Sequence, residues 1–169
     1  MIYTIDKSHS EIGFRVKHLG ISSVSGVFKN YEAHVEGDSL EDLLITFSAD
    51  INSIDTKDAN RDTHLISADL FDHEVYPKIL FSAKSVNLNS GKITGELTIK
   101  GVTKLVEFDL IYNGSEKNPF TQIVFHGATI SGNIKRSDFG LTYNLLLETG
   151  GWLIGDEVTI QVDLELHEN

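Results

Sequence analysis

Arg61, Asp62 and His64 fall within four residues of one another, in a polar, helix-compatible stretch (residues 53–82) set among segments that otherwise alternate like strands. An arginine fork suits a phosphate, and a histidine N–H suits a carbonyl oxygen. Arg61 and His64 are therefore candidate polar contacts for a ligand, in a lid or rim over something. The competing reading is a structural plug, in which Arg61 and Asp62 satisfy each other or nearby backbone groups and leave nothing for a ligand. Asp62, His64 and Ser67 can be assembled into a hydrolytic triad on paper, but a chain with seven histidines offers such coincidences. It contains no G-x-S-x-G, P-loop or H-E-x-x-H, and no G-x-G-x-x-G opening a helix, so no enzyme is expected. His9, His18, His64 and His73 lack the tight spacing of a metal site. The absence of cysteine removes disulfides, thiolate ligands and a cysteine nucleophile. Neither a metal nor a cofactor is expected.

The elements that must position these residues read as strands. Ile12, Phe14, Val16 and His18 share one face, with Glu11, Gly13, Arg15 and Lys17 on the other. The period of two recurs at Leu43, Ile45, Phe47, Ala49 and Ile51, at Ile79, Phe81 and Ala83, at Ile93, Gly95, Leu97 and Ile99, and at Val106, Phe108, Leu110 and Tyr112. The last run is the cleanest, with Val158, Ile160, Val162, Leu164 and Leu166 facing one way and charged or polar residues the other. Asn89-Ser90-Gly91, Asn113-Gly114 and Gly150-Gly151 are placed as turns, which predicts mostly antiparallel neighbours. Within residues 53–82, Thr56 is expected to cap a short helix over 58–66, followed by a turn at 67–71 that buries Leu70 and Phe71.

About eight strands with one apolar face close into a barrel or stack as a sandwich, and closure removes exposed edges. The inferred inward faces include small residues, Ala49, Ala83, Gly95, Gly127 and Thr129, which leave room for a void or else permit curvature. A length of 169 residues with 40% hydrophobic content predicts one domain, 1–169, with a real core. The net charge of −11 opposes binding to nucleic acid and to anionic bilayers. No stretch reaches the about 18 to 20 apolar residues of a membrane span, so stable membrane insertion is not expected. The first residues enter a strand pattern directly, which predicts a cytoplasmic protein, or a secreted one if a leader has been removed. A homodimer is compatible with the sequence, though no residue specifies it.

Five motifs occur in order along the chain. They are His9-Ser10-x-Ile12-x-Phe14-x-Val16-x-His18-Leu19-Gly20, Gly26-Val27-Phe28, the segment Ser53-Ile54-Asp55-Thr56 with Arg61-Asp62-x-His64-Leu65, Asp69-Leu70-Phe71-Asp72 and Tyr76-Pro77-x-Ile79-x-Phe81-Ser82, the run Gly95-Glu96-Leu97-Thr98-Ile99-Lys100-Gly101-Val102-Thr103-Lys104, and Arg136-Ser137-Asp138-Phe139-Gly140-Leu141. Together they resemble the YceI-like family of lipocalin-like, polyisoprenoid-binding proteins. The resemblance implies an all-β fold, a single antiparallel lipocalin-like β-barrel of about eight strands with a short helical insert. It further implies a long-chain isoprenoid or fatty-acyl ligand held along the barrel axis: an isoprenoid quinone, a prenyl phosphate or a fatty-acid derivative. The inward residues Phe14, Val16, Phe28, Phe47, Phe81, Leu97 and Ile99 then take the binding role, with Leu65 and Phe71 lining the insert. Plain core packing in a solid, partner-binding barrel is the alternative. His18 is either a core histidine or a polar contact at one end of the cavity. Arg61 and His64 are expected to meet the head group, and the acidic balance favours a neutral one such as a quinone.

Overall fold

The computed structural model describes residues 1–169. Eleven strands form in chain order: β1 (Ile2–Ile5), β2 (Glu11–His18), β3 (Ser22–Phe28), β4 (Tyr31–Gly37), β5 (Leu43–Asp50), β6 (Ile54–Asp55), β7 (Lys78–Val86), β8 (Lys92–Ile99), β9 (Val102–Lys117), β10 (Val124–Lys135) and β11 (Ile154–Glu168). One α-helix, α1 (Ala59–Ile66), lies between β6 and β7. Every pairing is antiparallel, and the sheet order β1-β4-β5-β7-β8-β9-β10-β11 closes through β1 against β11.

Three of the eight barrel strands are broken. The side chain of Asp6 accepts from the Ser8 N–H at 2.9 Å, which turns the chain through a 3₁₀ segment (Lys7–His9) between β1 and β2. Both β1 and β2 pair with β11, so they are two halves of one bent strand. In the same way β3 and β4 run against β2 and β1, interrupted at Lys29 and Asn30. The third pair, β5 and β6, is interrupted by the 3₁₀ segment Ile51–Ser53. The result is a closed eight-stranded antiparallel barrel with a short helical insert, as the alternation and the resemblance lead one to expect.

The helix fills a gap. Strand β6 pairs only with β3, and β7 pairs with β5 and β8, so one end of the barrel lacks a ladder between β6 and β7. Residues 56–77 cross that gap. Asp58, rather than Thr56, caps α1 by accepting from the Arg61 N–H at 3.0 Å. Thr56 is instead tied to Asp62, whose carboxylate accepts from the Thr56 N–H at 3.0 Å and from its hydroxyl at 2.5 Å. Leu70 is buried, as expected of the turn after the helix, whereas Phe71 is only half-buried and packs beside it.

The register of β9 and β10 corrects the pattern reading at two places. Asn113-Gly114 is not a hairpin turn. It lies inside β9, where Gly127 pairs with Gly114 but Ala128 pairs with Tyr112, leaving Asn113 as the extra residue of a β-bulge. The chain reverses further on, where Asn118 accepts from the Phe120 and Thr121 N–H groups. Gly127 and Thr129 consequently face outward, Thr129 donating to Asp163 on the outer surface at 3.3 Å, while His126, Ala128 and Ile130 face in. Gly95 does face in, but its space is taken by the ring of Phe81 rather than left open.

Candidate functional site

The barrel is hollow. Of the 169 residues, 26 are buried. Ile154, Val158, Ile160, Val162 and Leu164 of β11 point inward, yet each keeps accessible surface. They border a cavity of about 240 Å³ lined by 34 residues, of which 32 are hydrophobic. Pockets for compact ligands run from about 300 to 1,000 Å³. The lining runs from Leu43, Leu88 and Leu166 at one end to Val16, Ile99 and Ile154 at the end that carries α1.

Nine residues expected to bind ligand lie in that lining: Phe14, Val16, Phe28, Phe47, Leu65, Phe71, Phe81, Leu97 and Ile99. The rings are held by neighbours across the barrel wall. Phe14 lies 5.6 Å from Phe28 between centroids, and Phe28 meets Phe71 edge-on at 6.3 Å. A Cβ at Gly26 would come within 2.4 Å of the Phe14 ring, so glycine there lets the aromatic lie flat over β3.

The three polar residues of the expectation fall outside the lining. His18 is half-buried at the end of β2, beyond the cavity. Arg61 turns back on its own segment, its Nε donating to the Thr56 hydroxyl at 2.8 Å and its Nη2 to the Thr56 carbonyl at 2.7 Å. His64 pairs with Asp69 at 3.0 Å and packs edge-on against Tyr143, 4.7 Å between ring centroids. The reason is the cap at Asp58. It starts α1 so that Leu65 points in, and Arg61 and His64 are left beside the flanking turns. The plug reading of this segment fits their geometry.

One charged residue does line the cavity, and it is Arg136. It sits where β10 ends and is 94% buried. Its Nε donates to the Gly155 carbonyl at 2.9 Å, and its Nη1 to the carbonyls of Leu141 at 2.6 Å and Tyr143 at 3.0 Å. Burial pushes its pKa down and the Asp156 carboxylate opposes that shift, but a guanidinium stays charged. Three of its five N–H donors are thereby used, and the two on Nη2 have no protein partner. The sequence signal was available in the late Arg136-Ser137-Asp138 motif, which carried the resemblance without pointing to a direction for the side chain.

The opposite end closes on polar aromatics. Tyr112 and the buried His126 share a 2.9 Å hydrogen bond at Nδ1, and Tyr3 meets the His126 ring edge-on at 6.1 Å. His126 Nε2 is buried without a hydrogen-bond partner, 4.0 Å from Glu168. Asp6, His9 and Glu165 form the one trio whose potential metal-ligating atoms lie within 4.8 Å of one another. His9 Nδ1 is already paired with Asp6 at 2.9 Å, and the trio pins the break between β1 and β2 to β11.

A family model described as YceI-like domain matches residues 3–166. A UPF0312 protein of Staphylococcus aureus strain N315 is 39% identical over 165 residues, covering 96% of this chain and 95% of that protein. The crystal structure of a Campylobacter jejuni YCEI protein is 35% identical with a TM-score of 0.72, covering 98% of this chain and 97% of that one. A domain from Saccharophagus degradans, described as polyisoprenoid binding and implicated in plant cell wall breakdown, has the same fold. It has a TM-score of 0.72 at 13% identity, covering 99% of this chain and 98% of that one.

Proposed function

The chain belongs to the YceI-like domain family, and from that premise we propose that it binds a long-chain amphipathic lipid inside the barrel without catalysing a reaction on it. The observation that carries this reading is the lining itself, 32 hydrophobic residues of 34, with the aliphatic stem of Arg136 at the α1 end and no polar surface facing the cavity. The description of the Saccharophagus degradans domain as polyisoprenoid binding supports the same ligand class.

Burial of an apolar chain is favourable by about 0.8 kcal/mol per methylene. A tail of several prenyl units would nominally exceed the practical affinity limit of about 18 to 21 kcal/mol, so freezing of the chain and imperfect packing must offset part of it. Tail length then sets affinity and the head group sets orientation. Arg136 reaches the α1 end of the cavity through its aliphatic stem, and its Nη2, which has no protein partner, would meet an acceptor oxygen, whether a quinone carbonyl, a prenyl phosphate or the carbonyl end of a fatty-acid derivative, on turning inward. The head therefore lies at the α1 end and the tail runs towards Leu166. No nucleophile and base stand together along the lining, which supports binding in storage, transport or sequestration. No helix is long and apolar enough to cross a membrane.

The test is mass spectrometry of the protein purified from its own host under native conditions, with an organic extract of the same sample. A stoichiometric isoprenoid or fatty-acyl species is expected. Ala49→Trp, at a fully buried lining position, is expected to exclude it. Protein that carries no lipid and takes up neither quinones nor prenyl phosphates would point to a solid partner-binding barrel instead.

A further inference from the structure

Five large apolar side chains stand exposed on two adjoining loops at the α1 end: Leu19 and Ile21 between β2 and β3, and Leu145, Leu146 and Trp152 between β10 and β11. The loops are joined through their backbones. Leu19 N–H donates to the Leu153 carbonyl at 2.9 Å, Leu153 N–H donates to the Leu145 carbonyl at 2.9 Å, and Leu146 bridges to Trp152. Ile21 is 85% exposed, Leu146 66% and Trp152 58%. Both loops spring from strands that line the cavity, Val16 on one side and Ile154 on the other.

The two loops themselves are nearly uncharged, although the neighbouring helical insert carries Asp58, Asp62, Asp69, Asp72 and Glu74. Residues 19–28 carry no charged side chain and residues 141–155 carry only Glu148, so nearly all of the net charge of −11 resides elsewhere. The two loops therefore present large apolar side chains with almost no charge. They suit a deformable apolar medium with a neutral surface.

We propose that these loops dock the barrel, α1 end first, on the interfacial layer of a neutral lipid bilayer, bringing the Arg136 end of the cavity to the place where a lipid enters or leaves. The proposal rests on the lipid-binding reading above. Tryptophan favours the membrane interface, where its ring is apolar and its N–H stays solvated. Each large side chain withdrawn from water adds a hydrophobic increment. The acidic remainder of the chain repels an anionic surface, so the preferred bilayer is zwitterionic.

Trp152 is the only tryptophan in the chain, so its fluorescence reports on this patch alone. Titration with phosphatidylcholine vesicles is expected to shift its emission to the blue and to expose it to quenching by lipids brominated in their acyl chains. Vesicle flotation is expected to carry the protein along. The Ile21→Ser, Leu146→Ser double variant is expected to lose at least tenfold in vesicle affinity while retaining its bound lipid. Adding phosphatidylglycerol at low salt is expected to weaken docking. Wild-type protein that holds lipid yet neither shifts nor floats overturns the proposal and leaves the cavity reading standing. Protein that docks through Trp152 yet takes up no lipid supports docking and overturns the cavity reading. Equal flotation of the double variant, or a dimer in sedimentation velocity that the double variant abolishes, assigns the patch elsewhere and overturns the proposal.

Discussion

Nη1 of Arg136 lies 2.6 Å from the carbonyl oxygen of Leu141, so the one charged residue whose stem borders the cavity also fixes the start of the long β10–β11 connection. Two further carbonyls, of Tyr143 and Gly155, share the same guanidinium. Hydrogen bonds to a charged donor contribute about 1.5 to 3 kcal/mol each, and their loss leaves buried acceptors unpaired. Arg136→Met should therefore lower stability by about 3 kcal/mol or more in urea unfolding. Arg136→Lys keeps the charge but cannot reproduce the fork. It is expected to recover part of the stability while changing which head groups co-purify, and an unchanged lipid profile in a folded Lys variant would remove Arg136 from head-group selection.

Arg61 and His64 should behave differently. Their partners are Thr56, Asp69 and Tyr143, all near the helical insert rather than the cavity. Arg61→Ala is expected to destabilise by about 1 to 2 kcal/mol through the lost bonds to Thr56. His64→Ala should cost about 1 kcal/mol or less, since its hydrogen bond with Asp69 is exposed. Both variants should retain lipid at wild-type stoichiometry in native mass spectra. Loss of lipid from either one, with folding intact, would restore the polar insert to the binding site.

The barrel was legible in the sequence because strand parity is a local property. Ile12, Phe14 and Val16, like Val158 to Leu166, declare their inward face by alternation alone, and the lining follows from them. Parity fails where one residue is added without a local sign. Asn113-Gly114 looks like a hairpin turn, and only its partner strand, pairing Gly127 with Gly114 and Ala128 with Tyr112, shows it to be a bulge. That single residue reverses the assignment of Gly127 and Thr129 and hides His126 on the inward face. The polar end of the cavity was illegible for a related reason. Arg61 and Arg136 are both flanked by polar residues, and the choice between them depends on carbonyls of Thr56, Leu141, Tyr143 and Gly155 that only the folded chain brings to them.

Two glycines test that assignment of faces directly. A Cβ at Gly95 would lie 2.5 Å from the Ser82 carbonyl oxygen and 2.6 Å from the Phe81 ring, one of which is backbone and cannot swing away. Gly95→Ala is expected to cost about 1 to 3 kcal/mol by overpacking and to displace Phe81 into the cavity, lowering lipid occupancy. A Cβ at Gly127 meets nothing closer than 3.4 Å, from Asn113. Gly127→Ala should be within about 0.5 kcal/mol of the parent, as expected for an unstrained outer surface. Comparable losses at both positions in urea unfolding would mean that Gly127 faces inward after all.

The break between β1 and β2 makes stability depend on pH in two directions. Hydrogen bonds from Ser8 and His9 lower the Asp6 carboxyl from 3.8 to about 2. The same carboxylate raises the His9 imidazole above its ordinary 6.5. The folded state binds the Asp6 proton more weakly than the unfolded chain does. Its contribution is therefore complete above about pH 4 and is lost as pH falls towards 2. The folded state holds the His9 proton more tightly, so that contribution is complete below about pH 6.5 and is lost as pH rises through the folded value. Between those limits both act, and the urea midpoint should be highest there. His9 is exposed and Asp6 half-buried, so the amplitude should be small and should shrink with added salt. Asp6→Asn keeps an acceptor for the Ser8 N–H but removes the charge, and should flatten both limbs of the profile. An Asn variant whose midpoint falls with pH as steeply as the parent's would assign the dependence to other groups.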